Sequence, residues 1–175
     1  DMDPITQQTA LASAGGKKDP LYVDDVFSTY LYEGNSTAGH QINNGIDLSG
    51  EGGLVWIKMR DGTYHPVLVD TERGASNYLR SDNTNASTSN TTFVSSFNSN
   101  GFTVGSNNGN TNNNNNKFAS WTFRKAPGFF DVITWTGDGV EGRQISHSLG
   151  SVPGMIIIKC TSTSSTPVVY HRSLG

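Results

Sequence analysis

The chain has 175 residues, of which 34% are hydrophobic and 15% charged, with 20 glycines and abundant Asn, Ser and Thr. Helix formers are scarce in that balance, which disfavours a helical bundle. A net charge of −3 with no basic run disfavours nucleic-acid binding through phosphate neutralisation, and no apolar stretch is long enough to span a membrane as a helix.

Residues 1–22 differ in character from the rest. Pro4–Ala14 predicts a short helix, with Asp3 as N-cap and Pro4 at the first helical position. Its apolar set of Ile5, Ala10, Leu11 and Ala14 is sparse, so the helix is marginal alone. Gly15-Gly16 ends it and Lys17–Pro20 is a polar hinge. Two readings stay open: a frayed terminus, or an anchor that orders against a partner.

Strand signals dominate from Val23. Val26–Tyr32 is rich in aromatic and β-branched residues, and Gly34–Ser36 reads as a turn. Gln41-Ile42 and Ile46–Leu48 alternate weakly. Leu54–Lys58 is a short apolar run of the core-strand type, Asp61-Gly62 is a hairpin turn signal, and Pro66–Asp70 is the partner strand. Residues 81–92 read as loop or polar edge strand. Phe93, Phe97 and Phe102–Val104 mark further short strands. Asn107–Asn116 is nearly all Asn, a composition expected to stay out of any core. Phe118–Arg124 closes the unit, and Lys125–Gly128 is a linker.

The pattern then restarts. Phe129–Gly137 matches Val26–Gly34, Arg143–Ile145 matches His40–Ile42, and Pro153–Lys159 matches Gly52–Lys58. Pro167–Val169 matches Pro66–Leu68, and Gly175 falls opposite Gly74. The period exceeds that of a solenoid repeat, so each copy reads as a small β-domain. The expected organisation is an anchor and hinge at 1–22, a first repeat at 23–124, a linker at 125–128 and an incomplete second repeat at 129–175. The expected fold is all-β: a sandwich followed by the first half of a second copy. Half a sandwich leaves strand edges unpaired. The second copy is therefore expected to be completed by chain continuing past Gly175, or by another chain.

Few chemical motifs stand out. His40, His65, His147 and His171 fit no metal-ligand spacing, so no metal or other cofactor is expected. Cys160, the lone cysteine, reads as a structural strand residue. Asp70 and Glu72 would face the same side of a strand, as a glycosidase pair requires, but the second copy has His171 and Ser173 there. Trp56 and Trp135 are expected in the core rather than in a sugar-binding groove, whereas Tyr30, Tyr32, Tyr64 and Tyr78 are freer for exposed contacts.

Several phrases carry a family resemblance. Gly52–Lys58, Val69–Gly74, Gly101–Gly105, Ala119–Phe123, Phe130–Gly137, Ile145–Gly150, Pro153–Lys159 and Tyr170–Gly175 resemble, as a set, tandem domains in virion proteins of marine bacteriophages, including cyanophages. The resemblance covers Val23–Gly175 and implies jelly-roll or lectin-like β-sandwich modules strung along a tail fibre, with no catalytic residues to carry over. The run Asn112–Asn116 departs from it, since related domains have a shorter Gly-containing turn there. Such fibres are usually homotrimers attached to the tail by their N-terminal segment. The expectation is thus a non-enzymatic structural component of the virion tail that contributes to host adsorption. Pro4, Ile5, Leu11 and Tyr22 would anchor it on a tail tube, adaptor or nozzle protein. A host-recognition module binding surface glycan through Tyr64 and Tyr78 is the alternative, and a polysaccharide depolymerase using Asp70 and Glu72 ranks last.

Overall fold

The computed structural model describes residues 20–174. The expected helix Pro4–Ala14 and the anchor residues Pro4, Ile5 and Leu11 lie outside them. The described residues begin their secondary structure with one helical turn, α1 (Val23–Val26), where a strand start was expected. The Asp25 carboxylate accepts a hydrogen bond from the Tyr22 backbone N–H at 2.9 Å, which favours a turn there over extended chain.

Eleven strands follow: β1 (Phe27–Glu33), β2 (His40–Asn43), β3 (Gly53–Met59), β4 (Val67–Asp70), β5 (Asn77–Leu79), β6 (Thr88–Ser89), β7 (Val94–Asn98), β8 (Gly101–Val104), β9 (Lys117–Arg124), β10 (Met155–Ile158) and β11 (Val168–His171). They form a six-stranded sheet in the order β1-β9-β3-β4-β5-β6, a three-stranded sheet β2-β8-β7 and a separate hairpin β10-β11, with every pairing antiparallel. The fold is all-β.

The first two sheets face each other as a sandwich. Strand β3 alternates strictly: Val55, Ile57 and Met59 are buried while Leu54, Trp56 and Lys58 are half-buried. Its inward residues meet Val67 and Val69 from β4 and Phe118 from β9, and across the gap Ile42, Val94, Phe102 and Val104 from the smaller sheet. Phe93, Ile46 and Leu48 from the connections close the core. Each of these side chains, taken fully from water, contributes roughly 1.5–3 kcal/mol. Strand β9 lies second from one end of the large sheet, pairing the edge strand β1 on one side and β3 on the other.

The hairpin signal at Asp61-Gly62 resolves differently. The β3–β4 ladder ends at Ile57 and Val67, leaving a wide loop gathered by the Lys58 ammonium, which donates to the carbonyls of Met59, Gly62 and Tyr64 at 2.8, 3.2 and 2.9 Å. The Asp61 carboxylate is drawn away to accept from the Lys117 N–H at 3.0 Å, so it does not close a two-residue turn.

Candidate functional site

The Asn-rich loop was expected to stay out of the core, and the structure overturns that. Asn110, Thr111 and Asn112 are buried. The Asn112 amide donates to the carbonyls of Thr37 at 2.9 Å and Gly105 at 2.7 Å, and its oxygen accepts from the Asn35 N–H at 3.0 Å. The same oxygen lies 3.2 Å from His40 Nδ1. An amide has two donors and a two-lone-pair acceptor, and here all are used, which makes burial affordable. The loop also packs tightly on the β1–β2 turn: a Cβ on Gly34 would clash with the Asn113 carbonyl. Tyr32 donates to the Thr111 carbonyl at 2.8 Å, and burial holds its phenol well above its ordinary pKa, so it is no free surface ring.

The two carboxylates do not form a pair on one face. Strand β4 ends at Asp70, and Thr71–Arg73 turns away. Asp70 is buried; it accepts from the Arg73 backbone at 2.9 Å and from the Arg73 guanidinium at 2.7 Å. Arg73 in turn donates to Ser87 Oγ and the Leu68 carbonyl, both at 3.1 Å, which makes Asp70–Arg73 a structural clasp. Glu72 points instead to Lys125, 2.7 Å away.

The aromatic residues are also redistributed. Trp56 and Trp121 are cross-strand partners on the outer face of the large sheet, with ring centroids 5.7 Å apart, and Trp135 is exposed, so neither Trp56 nor Trp135 packs in the core. Trp56 faces outward because its two strand neighbours, Val55 and Ile57, take the inward positions. Tyr64 is exposed, its ring set against Gly109. Tyr78 is partly buried edge-on to Phe93 at 4.6 Å, with Arg80 over its ring, so it is not a free contact residue. The structure therefore does not present Tyr64 and Tyr78 as one exposed pair. Tyr22 is exposed beside Leu21, Val23, the linker residues Pro127 and Gly128 and the adjoining Phe129, which together line an apolar groove.

The chemistry that sequence reasoning missed is at the junction of the repeats. Lys125 reaches Glu72 on one side and the Asp131 carboxylate at 3.4 Å on the other. Burial pushes the Asp131 carboxyl up, but two hydrogen bonds from Ser148 and the Lys125 charge outweigh it, leaving it below its ordinary value. Lys125 is raised, chiefly by its bond to Glu72. Phe123 touches both Phe27 and Phe130, at 4.9 and 5.4 Å. A second contact joins the loops beyond: the Ser87 N–H donates to the Thr161 carbonyl and the Ser165 N–H to that of Thr84, both at 2.9 Å.

Beyond the junction the duplication is visible in backbone pairing. In β3–β4, Leu54, Val55, Trp56 and Ile57 oppose Asp70, Val69, Leu68 and Val67. In β10–β11, Met155, Ile156, Ile157 and Ile158 oppose His171, Tyr170, Val169 and Val168. Every partner lies 101 residues on from its counterpart, as Met155 from Leu54, so the register is the same pair for pair. The settings are opposite: Val55, Ile57, Val67 and Val69 are buried, whereas Ile156, Ile158, Tyr170 and Val168 are all exposed. Cys160 follows β10, half-buried, with its thiol 3.3 Å from the Thr163 hydroxyl and 3.6 Å from that of Ser162; those bonds lower its pKa to about 6.

No curated protein and no solved structure matches the chain. A family model described as a domain of unknown function, DUF7483, matches residues 23–175, running unbroken across the first repeat, the linker and β10–β11, and the chain belongs to that family.

Proposed function

We propose that the protein is a structural component of a phage tail fibre, built from β-modules in series, with the segment before Val23 attaching it to the tail. The observation that carries this reading is the residue-for-residue repetition of the β3–β4 register in β10–β11, joined through Lys125 and the Phe27–Phe123–Phe130 contacts. Serial modules with a tied junction transmit position along an appendage. The virion phrases in Val23–Gly175 add the setting. The test is gold-labelled antibody against residues 23–124 on purified virions of the source phage. Label at the tail-proximal end of the fibres is the expected result, and unlabelled virions would overturn the reading. Deleting residues 1–20 should abolish tail attachment and leave the β-sheet circular dichroism of the rest intact; retained attachment would remove the anchor role.

A second reading, glycan recognition, is favoured by the aromatic surface of Tyr64 and the outward Trp56–Trp121 pair. It predicts glycan-array binding that is lost in Tyr64→Ala or Trp121→Ala, and uniform absence of binding by the parent protein removes it.

A further inference from the structure

The β5–β6 end of the large sheet holds a pocket that none of the contacts above explains. Tyr78, Arg80, Asn85, Ala86 and Thr88 line a cavity of about 120 Å³. Its frame is well anchored. Tyr78 and Thr88 are cross-strand partners, and the Tyr78 ring is set against Phe93 of the core. Between Ala86 and Thr88, the Ser87 hydroxyl donates to the Tyr78 carbonyl at 3.2 Å and accepts from Arg73 at 3.1 Å. The Asn83 side chain accepts from the Asn85 N–H at 3.0 Å, which shapes the loop carrying Asn85. Arg80 lies over the Tyr78 ring, its guanidinium carbon 5.7 Å from the centroid. A ring holds such a cation by its face, which leaves the fork of N–H donors at the edge. Among the described residues no carboxylate pairs with Arg80, and the Asn85 amide and Thr88 hydroxyl make no hydrogen bond within the chain. Asp82, two residues on from Arg80, is held by His65 at 2.8 Å.

A guanidinium without a carboxylate, set in a small pocket beside an amide and a hydroxyl, matches an acid group flanked by hydroxyls. We propose that this pocket binds the carboxylate of a uronic-acid residue in an acidic glycan. Arg80 donates two parallel N–H bonds to the carboxylate. Asn85 and Thr88 meet the neighbouring sugar hydroxyls, for which each carries both a donor and an acceptor. The volume fits that division. It is somewhat below the roughly 150 Å³ that takes up a benzene molecule, so it admits one acid group and the adjoining ring atoms while the rest of the glycan lies outside. An acidic peptide fits less well: a peptide binds a sheet by pairing with its edge, and β6 offers only Thr88–Ser89. The assignment rests on the glycan-recognition reading and adds to it the class of sugar and the residue that selects it.

The test is titration calorimetry of the intact chain with an oligogalacturonide at low salt. Saturable binding is expected, with the carboxyl-reduced oligosaccharide bound about tenfold or more weakly. Arg80→Gln should cause a loss of the same order. Arg80→Lys should recover little of it, since an ammonium cannot make the two parallel bonds. Asn85→Ala, at an exposed position, should weaken binding severalfold and leave the unfolding midpoint unchanged. No binding of the oligogalacturonide, equal binding of its reduced form, or an Arg80→Lys variant as good as the parent would overturn the proposal. So would a poly-glutamate peptide that binds as tightly, since it would assign the pocket to an acidic peptide. Binding of a neutral glycan that depends on Tyr64 or Trp121 but not on Arg80 would remove this pocket and leave glycan recognition standing.

Discussion

Single residues carry more of this structure than their types suggest. Asn112 is the clearest case, because its amide ties the turn at Asn35–Thr37 to the end of β8 through Gly105. Asn112→Asp keeps the shape but replaces two donors with an acceptor facing two carbonyls. Leaving such groups unmatched in a buried site costs about 2–4 kcal/mol, and urea unfolding should show a loss of that order at pH 7. The loss should shrink at acid pH, where the carboxyl protonates and regains one donor. Cys160 makes a different prediction. An ordinary thiol becomes more reactive with each pH step up to 8 or 9. The hydroxyls of Thr163 and Ser162 hold this one near 6, so iodoacetamide alkylation should level off by about pH 7. Thr163→Ala should move the plateau upward, and a parent profile still rising at pH 8 would contradict the assignment.

At the scale of elements, the same hairpin occurs in two environments, which separates register from burial. Ile57 on β3 and Ile158 on β10 occupy equivalent ladder positions, yet only Ile57 is fully buried. Ile57→Ala should cost about 2–4 kcal/mol in chemical unfolding, and Ile158→Ala less than about 0.5 kcal/mol. Comparable losses would mean that the hairpin is already covered in solution. The strands themselves were legible in the sequence: Leu54–Lys58, Pro66–Asp70 and Phe118–Arg124 declare themselves by β-branched and aromatic content, and the repeat by matched spacing. The place of β9 between β1 and β3 was not legible, because periodicity says which face is buried and nothing of which strand is the neighbour. The Asn run was misread for a related reason. Its composition is polar, and its burial depends on partners 70 or more residues away, such as Asn35, Thr37 and His40. Trp56 misled because an indole in an apolar run was assigned to the core, when the strand's alternation places it on the outer face.

For the whole molecule, the question is how firmly the second repeat is held on the first. Lys125 sits at the join, bonded through its own N–H to the Gly52 carbonyl at 2.9 Å and through its ammonium to Glu72 and Asp131. Its raised pKa means that its contribution is complete at neutral pH and is lost only above about 10.5. Asp131 is depressed, so its share is present above its ordinary value of 3.8 and fades as pH falls below that. The tie should therefore hold from about pH 4 to 10. Lys125 and Glu72 are partly exposed, so the tie's worth to global stability is small, about 1 kcal/mol or less. Its effect belongs to orientation. Spin labels at Cys160 and at an introduced Ala38→Cys should give a narrow distance distribution at pH 7. Lys125→Met should broaden it while shifting the unfolding midpoint of the first repeat little, and the parent protein should broaden in the same direction as pH falls well below Asp131's ordinary value. A distribution unchanged by Lys125→Met would instead assign the orientation to the Thr84–Ser87 contacts with Thr161 and Ser165. Those are backbone hydrogen bonds, indifferent to pH in this range, so the acid arm of the experiment tells the two ties apart.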